Sequence, residues 1–508
     1  MEVNVDQPIW GSDSVKDRWA WLLLALLTML GAYLRFYHLG YEPLRFDEVA
    51  TWNQSRQANL RSLIEAMRGD VHPPGWTILM YYVQKVIGGS EFALRLPSAI
   101  AGVLSIPAIF FLAKLIYGRS AGLIAAGLMA FLWAPVFYSQ EARAYSLLIL
   151  FSILTFHCLI RIISSSEEHR RNYFLIFSFI LLSTILSYLH YSGLLMVLVQ
   201  GGWAIVRTVN SRRMLTKLLT IYLAILLLYA PWLIEMFSDL NRGSFWIEKV
   251  YGPSSIIDFW FYRSYFELHF PVAILLGFVF LQEVVSMYRE KRKFSRSHTL
   301  MLFAWLTLPY LAFLAKSIIS TPLILPRYLL ISAPAAYILL GSALTKLTTG
   351  RKSRLAIGLC ITLFCLWTLL FKIQYYTLAQ RPQTREVIYT LTHASETTLA
   401  DSLVMSYRFK NVFNYYFFRA GVEKRVDYDI QWQIPVNIKR VPKKEIQNIK
   451  SLVRSSDKKY IWFIAVKPHR ARNVIEMLNE EAIFIKSEKF KRTEARLYKK
   501  KIAAKPLI

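Results

Sequence analysis

Two adjacent carboxylates stand in the segment Arg45-Phe46-Asp47-Glu48, and the same polar stretch runs on to Asp70-Val71-His72-Pro73-Pro74. An acidic pair can divide the work of a general base from that of a hydrogen-bond or metal partner, and a nearby histidine can orient either. Asp47 suits another role equally well, the N-cap of a helix that begins at Glu48 and carries Val49, Ala50 and Trp52. The two roles compete, because a caged carboxylate is a poor base. His72 taken alone suits a structural loop histidine. A second cluster, Tyr138-Ser139-Gln140-Glu141-Ala142-Arg143-Ala144-Tyr145, sets Glu141 and Arg143 between two apolar runs. There they either pair with one another or mark a functional site. His190-Tyr191 and Pro326-Arg327-Tyr328 complete the set. Arginine can fork onto a lipid phosphate, whereas an interfacial tyrosine is commonly an anchor in the aromatic belt.

The elements that must position these residues are membrane helices. Of 508 residues 55% are hydrophobic and 19% charged, yet Lys and Arg outnumber Asp and Glu 61 to 33, a formal +28. A disordered chain lacks that apolar content, and a nucleic-acid binder has no use for an uncharged run such as Ile221 to Leu233. No nucleic-acid partner is therefore expected. A hydrocarbon core about 30 Å thick needs roughly 20 apolar residues in helix. Eleven runs meet that need: Trp19–Phe36, Pro97–Ile116, Ser120–Phe137, Tyr145–Ile163, Tyr173–His190, Ser192–Val209, Leu218–Phe237, Phe270–Met287, Leu300–Lys316, Tyr328–Leu347 and Leu355–Phe371. Trp76–Ile87 is too short to cross and suits an interfacial helix.

With that helix kept out of the membrane, every basic cluster between spans falls on one side, from Lys16/Arg18 to Arg351/Lys352/Arg354. The positive-inside rule makes that side cytoplasmic and puts the N-terminus there. The acidic and histidine motifs then share the outer face. The polar start, Met1 to Asp17, leads into an apolar run with no small-residue cleavage site after it, so a retained span is expected. Cys158, Cys360 and Cys365 lie in apolar runs and suggest no disulfide or metal cluster. No phosphate-binding loop, dinucleotide fingerprint, zinc spacing or nucleophile elbow is present, so no nucleotide or redox cofactor is expected.

Past residue 380 the texture changes. Strand-like stretches at Tyr460–Val466 and Ala482–Lys486 flank a helical pattern at Arg470–Glu481, the signature of a small α/β domain. The expected organisation is a transmembrane domain over 1–379 and an extracytoplasmic α/β domain over 380–508. The latter has 27 Lys and Arg against 13 Asp and Glu, a net +14 that is half of the total. Long domains cross largely regardless of charge, so the basic excess does not fix its side.

The series Asp47-Glu48, His72-Pro73-Pro74, Glu91-Phe92-Ala93-Leu94-Arg95-Leu96-Pro97-Ser98-Ala99 and Tyr138 to Tyr145 resembles bacterial relatives of the protein O-mannosyltransferases and of the lipid A aminoarabinose transferases. These are membrane glycosyltransferases of the GT-C fold, and the likeness runs over roughly residues 19 to 350. It implies a polyprenyl-phosphate-linked sugar donor, an active site on the outer face of a bacterial inner membrane, and inversion at the anomeric carbon. The acceptor would be a hydroxyl or phosphate of a protein, lipid A or another glycan, among membrane lipids. Residue by residue, the resemblance implies Asp47 as catalytic base and Glu48 as its acidic neighbour. It sets His72, Glu141, Arg143, Tyr145 and His190 in the donor and acceptor site and assigns Arg327 and Tyr328 to the donor phosphate. Asp47 and Glu141 are the carboxylates it offers to a divalent metal ion. The aminoarabinose transferases have an aspartate slightly later, where this chain has Ala144-Tyr145. Two other readings fit a polytopic chain: a flippase or transporter of lipid-linked sugars, which would place polar groups at the bilayer midplane, and a silent glycan-binding relative.

Overall fold

The computed structural model describes residues 15–501 except 69, 165–169, 241–276, 278–280, 283, 286–292, 320–323, 348–349, 379, 394–398, 408, 424 and 431–440. After α1 (Val15–Phe36) come three short helices, α2 (Phe46–Gln54), α3 (Leu60–Met67) and α4 (Gly75–Val86). An apolar series follows: α5 (Glu91–Tyr117), α6 (Arg119–Phe131), α7 (Trp133–Ser139), α8 (Tyr145–Ser164), α9 (Arg170–Leu189), α10 (Tyr191–Thr208) and α11 (Arg212–Leu240). Later come α12 (Lys293–Ile319), α13 (Pro326–Leu329), α14 (Ala333–Lys346) and α15 (Arg351–Trp367). The chain is a multi-pass membrane protein of α-helical class with a small C-terminal sheet.

Among the described residues six helices are long and apolar enough to cross a membrane, or seven if α6 and α7, bent by 55°, form one span. The sequence count was eleven. Three of the other four runs are helical but fall short: α9 opens on Arg170-Arg171-Asn172, α10 is diluted by Gln200, Gly201, Gly202 and Arg207, and the apolar stretch of α15 with the helical turn after it runs only over Ala356–Lys372. The fourth, Phe270–Met287, lies outside the described residues. The 12 residues of α4 rise about 18 Å, too little to cross.

Contacts divide the chain into two units, Met1–Leu39 with Gln54–Gln374, and Gly40–Asn53 with Tyr375–Ile508. In the first, α6 is rich in Ala and Gly and buried nearly all round, as expected of a helix with apolar residues on every face. Small residues let backbones approach: a Cβ on Gly341 would stand 2.7 Å from the Ala121 carbonyl oxygen. Trp19, Leu22 and Met29 on α1, and Leu223 and Leu227 on α11, remain exposed, as suits faces whose solvent is lipid.

The break between α6 and α7 has an identifiable cause. Pro135 has no N–H to offer the Phe131 carbonyl, and its ring clashes there, so α6 stops and Leu132 is extended at φ −64°, ψ 144°. The freed carbonyls are met by Arg35, a fully buried arginine of α1. Its guanidinium donates to Met129 O at 2.7 Å, Ala130 O at 3.1 Å, Gly31 O at 3.0 Å and Ser139 Oγ at 3.2 Å. Such bonding offsets the cost of a charge in an apolar interior.

The second unit holds a five-stranded sheet of β1 (Ser402–Tyr407), β2 (Tyr428–Asp429), β3 (Tyr460–Val466), β4 (Ala482–Phe490) and β5 (Thr493–Lys500), in the order β2-β1-β3-β5-β4. β1 runs parallel to β2 and β3, whereas β5 is antiparallel to β3 and β4. β1 is buried along its whole length and β3 after its first residue, as expected of central strands covered on both faces. The unit's helices are α16 (Thr384–Thr392), α17 (Lys410–Arg419), α18 (Lys443–Ser455) and α19 (Arg472–Glu481). Ile449 and Val453 of α18 and Val474 and Leu478 of α19 join Met405, Tyr407 and Phe463 in its core.

Candidate active site

The seven expected site residues in the first unit gather at helix ends. His72 lies just before α4, Glu141 and Arg143 in the turn before α8, Tyr145 at the start of α8, His190 between α9 and α10, and Arg327 and Tyr328 in α13. The imidazole of His72 is the hub. Its backbone N–H and its Nδ1 both lie on Asp70 Oδ1, at 3.0 and 3.1 Å, and its Nε2 lies 3.3 Å from Arg143 Nη2. Arginine can only donate, so Nε2 accepts and the proton sits on Nδ1, giving a neutral ring that links carboxylate to guanidinium.

Asp70 also accepts from Gln54 Nε2 at 2.5 Å. Burial alone would raise its carboxyl, but the bonds from His72 and Gln54 and the charge of Arg143 together hold it below the usual carboxylate range. It is therefore a fixed anion at neutral pH.

The His190 ring centroid stands 5.3 Å from that of His72, 6.4 Å from Tyr145 and 5.2 Å from Tyr328. His190 Nδ1 accepts from the Ser192 backbone N–H at 3.0 Å, capping α10. Its proton is consequently on Nε2, so this ring too is neutral. The Arg327 guanidinium lies 5.7 Å from the Tyr328 ring centroid, and Tyr145 is within electrostatic reach of Arg327, Arg143 and Glu141.

The turn bearing Glu141 and Arg143 is held from both sides. Gln140 Nε2 donates to the carbonyls of Leu34, Arg35 and Tyr37 at 3.2, 3.0 and 2.8 Å, closing the end of α1. The Ser98 hydroxyl of α5 donates to the Arg143 carbonyl at 2.9 Å, and Arg143 N–H donates to Glu141 O at 2.7 Å.

Asp47 and Glu48 belong to the second unit and differ sharply. The expected cap at Asp47 is not formed: α2 starts at Phe46, two residues before the expected Glu48, and Glu48 Oε2 accepts from the Arg45 N–H at 2.8 Å, half of a capping box. Glu48 is fully buried and also ion-paired with Arg381. Expected as half of a catalytic pair, it has its Oε2 engaged by both partners, an arrangement that holds the segment in place. Asp47 is half-buried at the helix surface. The segment around them is tied in by Glu42, which accepts from the N–H groups of Gln380 and Arg381 at 3.0 and 3.2 Å, and by Leu44 N–H, which donates to the Tyr416 hydroxyl at 2.7 Å.

Among the described residues no three His, Cys, Asp or Glu side chains gather as a metal-binding group. Asp47 and Glu141 therefore find no such set, and no chemical step is assigned to a metal here. Sequence reasoning passed over Asp70, Gln54, Trp76 and Arg381. Asp70 had a signal, two residues before His72 where an aspartate can take both the backbone and the ring. Arg381 had none, since its partner is 333 positions away.

Residues 71–234 match the family model for dolichyl-phosphate-mannose-protein mannosyltransferases. ArnT from Cupriavidus metallidurans in the apo state superposes with a TM-score of 0.61 at 12% identity, over 95% of this chain and 98% of that one. The fold is GT-C. ArnT from the same organism bound to undecaprenyl phosphate gives a TM-score of 0.55 at 13% identity, covering 94% of this chain and 98% of that one. The archaeal oligosaccharyltransferase AglB from Archaeoglobus fulgidus, in complex with an inhibitory peptide and a dolichol-phosphate, gives 0.58 at 11% identity, covering 97% and 76%. A comparison with curated protein sequences finds no significant match. On this GT-C scaffold the His72, Arg143 and Tyr145 side chains all fall within the stretch that matches the mannosyltransferase family model.

Proposed function

We propose that the protein is an inverting glycosyltransferase that moves a sugar from a polyprenyl-phosphate donor to a hydroxyl or phosphate acceptor on the outer face of a bacterial inner membrane. The reading is carried by the convergence of His72, Arg143, Tyr145 and His190 on one cavity of a membrane unit with the GT-C fold. Two cationic groups, Arg143 and Arg327, suit the negative charge that develops on a departing lipid phosphate. Arg143 is oriented for that task by neutral His72 and, behind it, by anionic Asp70.

Attack on the anomeric carbon from the face opposite the phosphate requires a base that takes the acceptor proton as the new bond forms. The family resemblance supports Asp47 as that base, while its neighbour Glu48 is engaged by Arg381 and the Arg45 N–H. Acceptors from protein, lipid A or another glycan all satisfy this chemistry. The test is Asp47→Asn in a transfer assay with polyprenyl-phosphate-linked sugars. Transfer should fall by at least about a hundredfold, in line with removal of a general base, with unchanged amounts of protein in the membrane. Undiminished transfer would remove Asp47 from the base role.

A further inference from the structure

The cavity that His72, Arg143 and His190 line has a second property, set by its walls. Trp76 and Thr77 open α4, Ala144 and Tyr145 open α8, and His190 precedes α10, so three helices begin on one small space. Each helix start presents unsatisfied N–H groups and a partial positive charge. At α10 the side chain of His190 caps one such group. At α4 the N-cap is Pro74, and no side chain caps the first turn.

Within that turn lies Trp76, a residue 5% exposed whose indole N–H is buried and has no hydrogen-bond partner. An indole N–H can only donate, and leaving such a donor buried and unmet is costly. The Asp70 carboxylate and the His72 ring on the cavity wall are bonded to other groups. Asp70 Oδ1 receives both N–H groups of His72 and its Oδ2 receives Gln54, while His72 Nε2 faces Arg143. The cavity is thus supplied with donors, among them an indole N–H with no partner.

We infer that the Trp76 indole N–H and the uncapped first turn of α4 hold a phosphoryl oxygen of the lipid-linked donor. This rests on the reading of a polyprenyl-phosphate donor given above. A phosphate is an anionic acceptor that can take several N–H groups at once, the Trp76 indole among them. A sugar hydroxyl oxygen could also accept from Trp76, and the two sources separate experimentally because sugar-free polyprenyl phosphate retains the one and loses the other.

The experiment uses the full chain in nanodiscs and measures binding of a short polyprenyl phosphate and of the matching polyprenol. Trp76→Phe keeps the ring's bulk and removes the N–H. It should weaken polyprenyl phosphate about tenfold, the effect of one hydrogen bond to a charged group, and leave polyprenol unchanged. In the wild type, the 15N-indole resonance that Trp76→Phe deletes should move downfield on adding polyprenyl phosphate. Equal binding of the phosphate by both proteins with an unmoved resonance would overturn the site, and so would a parallel loss of polyprenol binding, which would mark apolar packing. A wild type that ignores polyprenyl phosphate would sink the donor reading itself, and this site with it.

Discussion

Arg381 and Glu48 make a buried pair with side chains 3% and 0% exposed, and its energetics can be tested without reference to activity. Removing one partner leaves a desolvated charge, which costs about 3 to 5 kcal/mol, whereas replacing both with apolar groups of similar size is often neutral. Arg381→Met should therefore lower the thermal unfolding midpoint of the full chain markedly, and adding Glu48→Leu should recover most of the loss. If both variants melt alike, the pair is not what holds Gly40–Asn53 in the second unit. The lost Arg45 N–H bond should leave a residual deficit in the double variant of about 1 kcal/mol. This pair also marks the limit of reading residues from sequence. Asp47-Glu48 was recognisable as a chemical motif, but which carboxylate was engaged depended on a residue 333 positions later. His72 and Arg143 were legible as types on either side of α5, while the 3.3 Å contact that makes one orient the other was not.

At the scale of elements the bent pair α6 and α7 does the positioning. Pro135 breaks the helix, Arg35 meets the exposed carbonyls, and the Ser139 hydroxyl that Arg35 contacts sits one residue before Gln140. Gly102 of α5 is what allows this: a Cβ there would stand 2.0 Å from Ser139 Oγ and 2.9 Å from Arg35 Nε. Gly102→Ala should accordingly destabilise the chain by about 1 to 3 kcal/mol, the usual range for overpacking, read as a lower unfolding midpoint. It should also slow sugar transfer by displacing the Gln140–Ala144 turn. Full activity with a normal midpoint would show that the turn is positioned by other contacts. Apolar runs between charges revealed the helices here, because burial in lipid imposes a length that sequence displays directly. Ser120–Phe137 read as one straight span because its run of apolar residues is continuous, and the effect of a proline depends on whether a neighbour satisfies the carbonyl it abandons. The C-terminal strand Tyr460–Val466 was legible to the residue, since β-branched and aromatic residues crowd it.

For the molecule as a whole, the positive charge carries two kinds of information. Half of the +28 lies after residue 379, in a chain segment long enough that charge does not decide its side. The other half lies largely in short connections between membrane helices, where it does. In the proposed topology Arg119, between α5 and α6, is cytoplasmic, and Asn53, in the first polar loop, is extracytoplasmic. Both positions are exposed, so a cysteine introduced at either can react. A membrane-impermeant thiol reagent added to intact cells should label Asn53→Cys and spare Arg119→Cys, which should react only after permeabilisation. The endogenous cysteines leave this readable, because Cys158 and Cys365 are buried and exposed Cys360 lies within the apolar stretch of α15. Labelling of both from outside would mean that one of the helices between them does not cross or that α4 does. It would then also place the His72 and Arg143 loops on opposite sides of the membrane, against the 3.3 Å contact that joins them. That contact makes the outcome a test of the fold as much as of the charge rule.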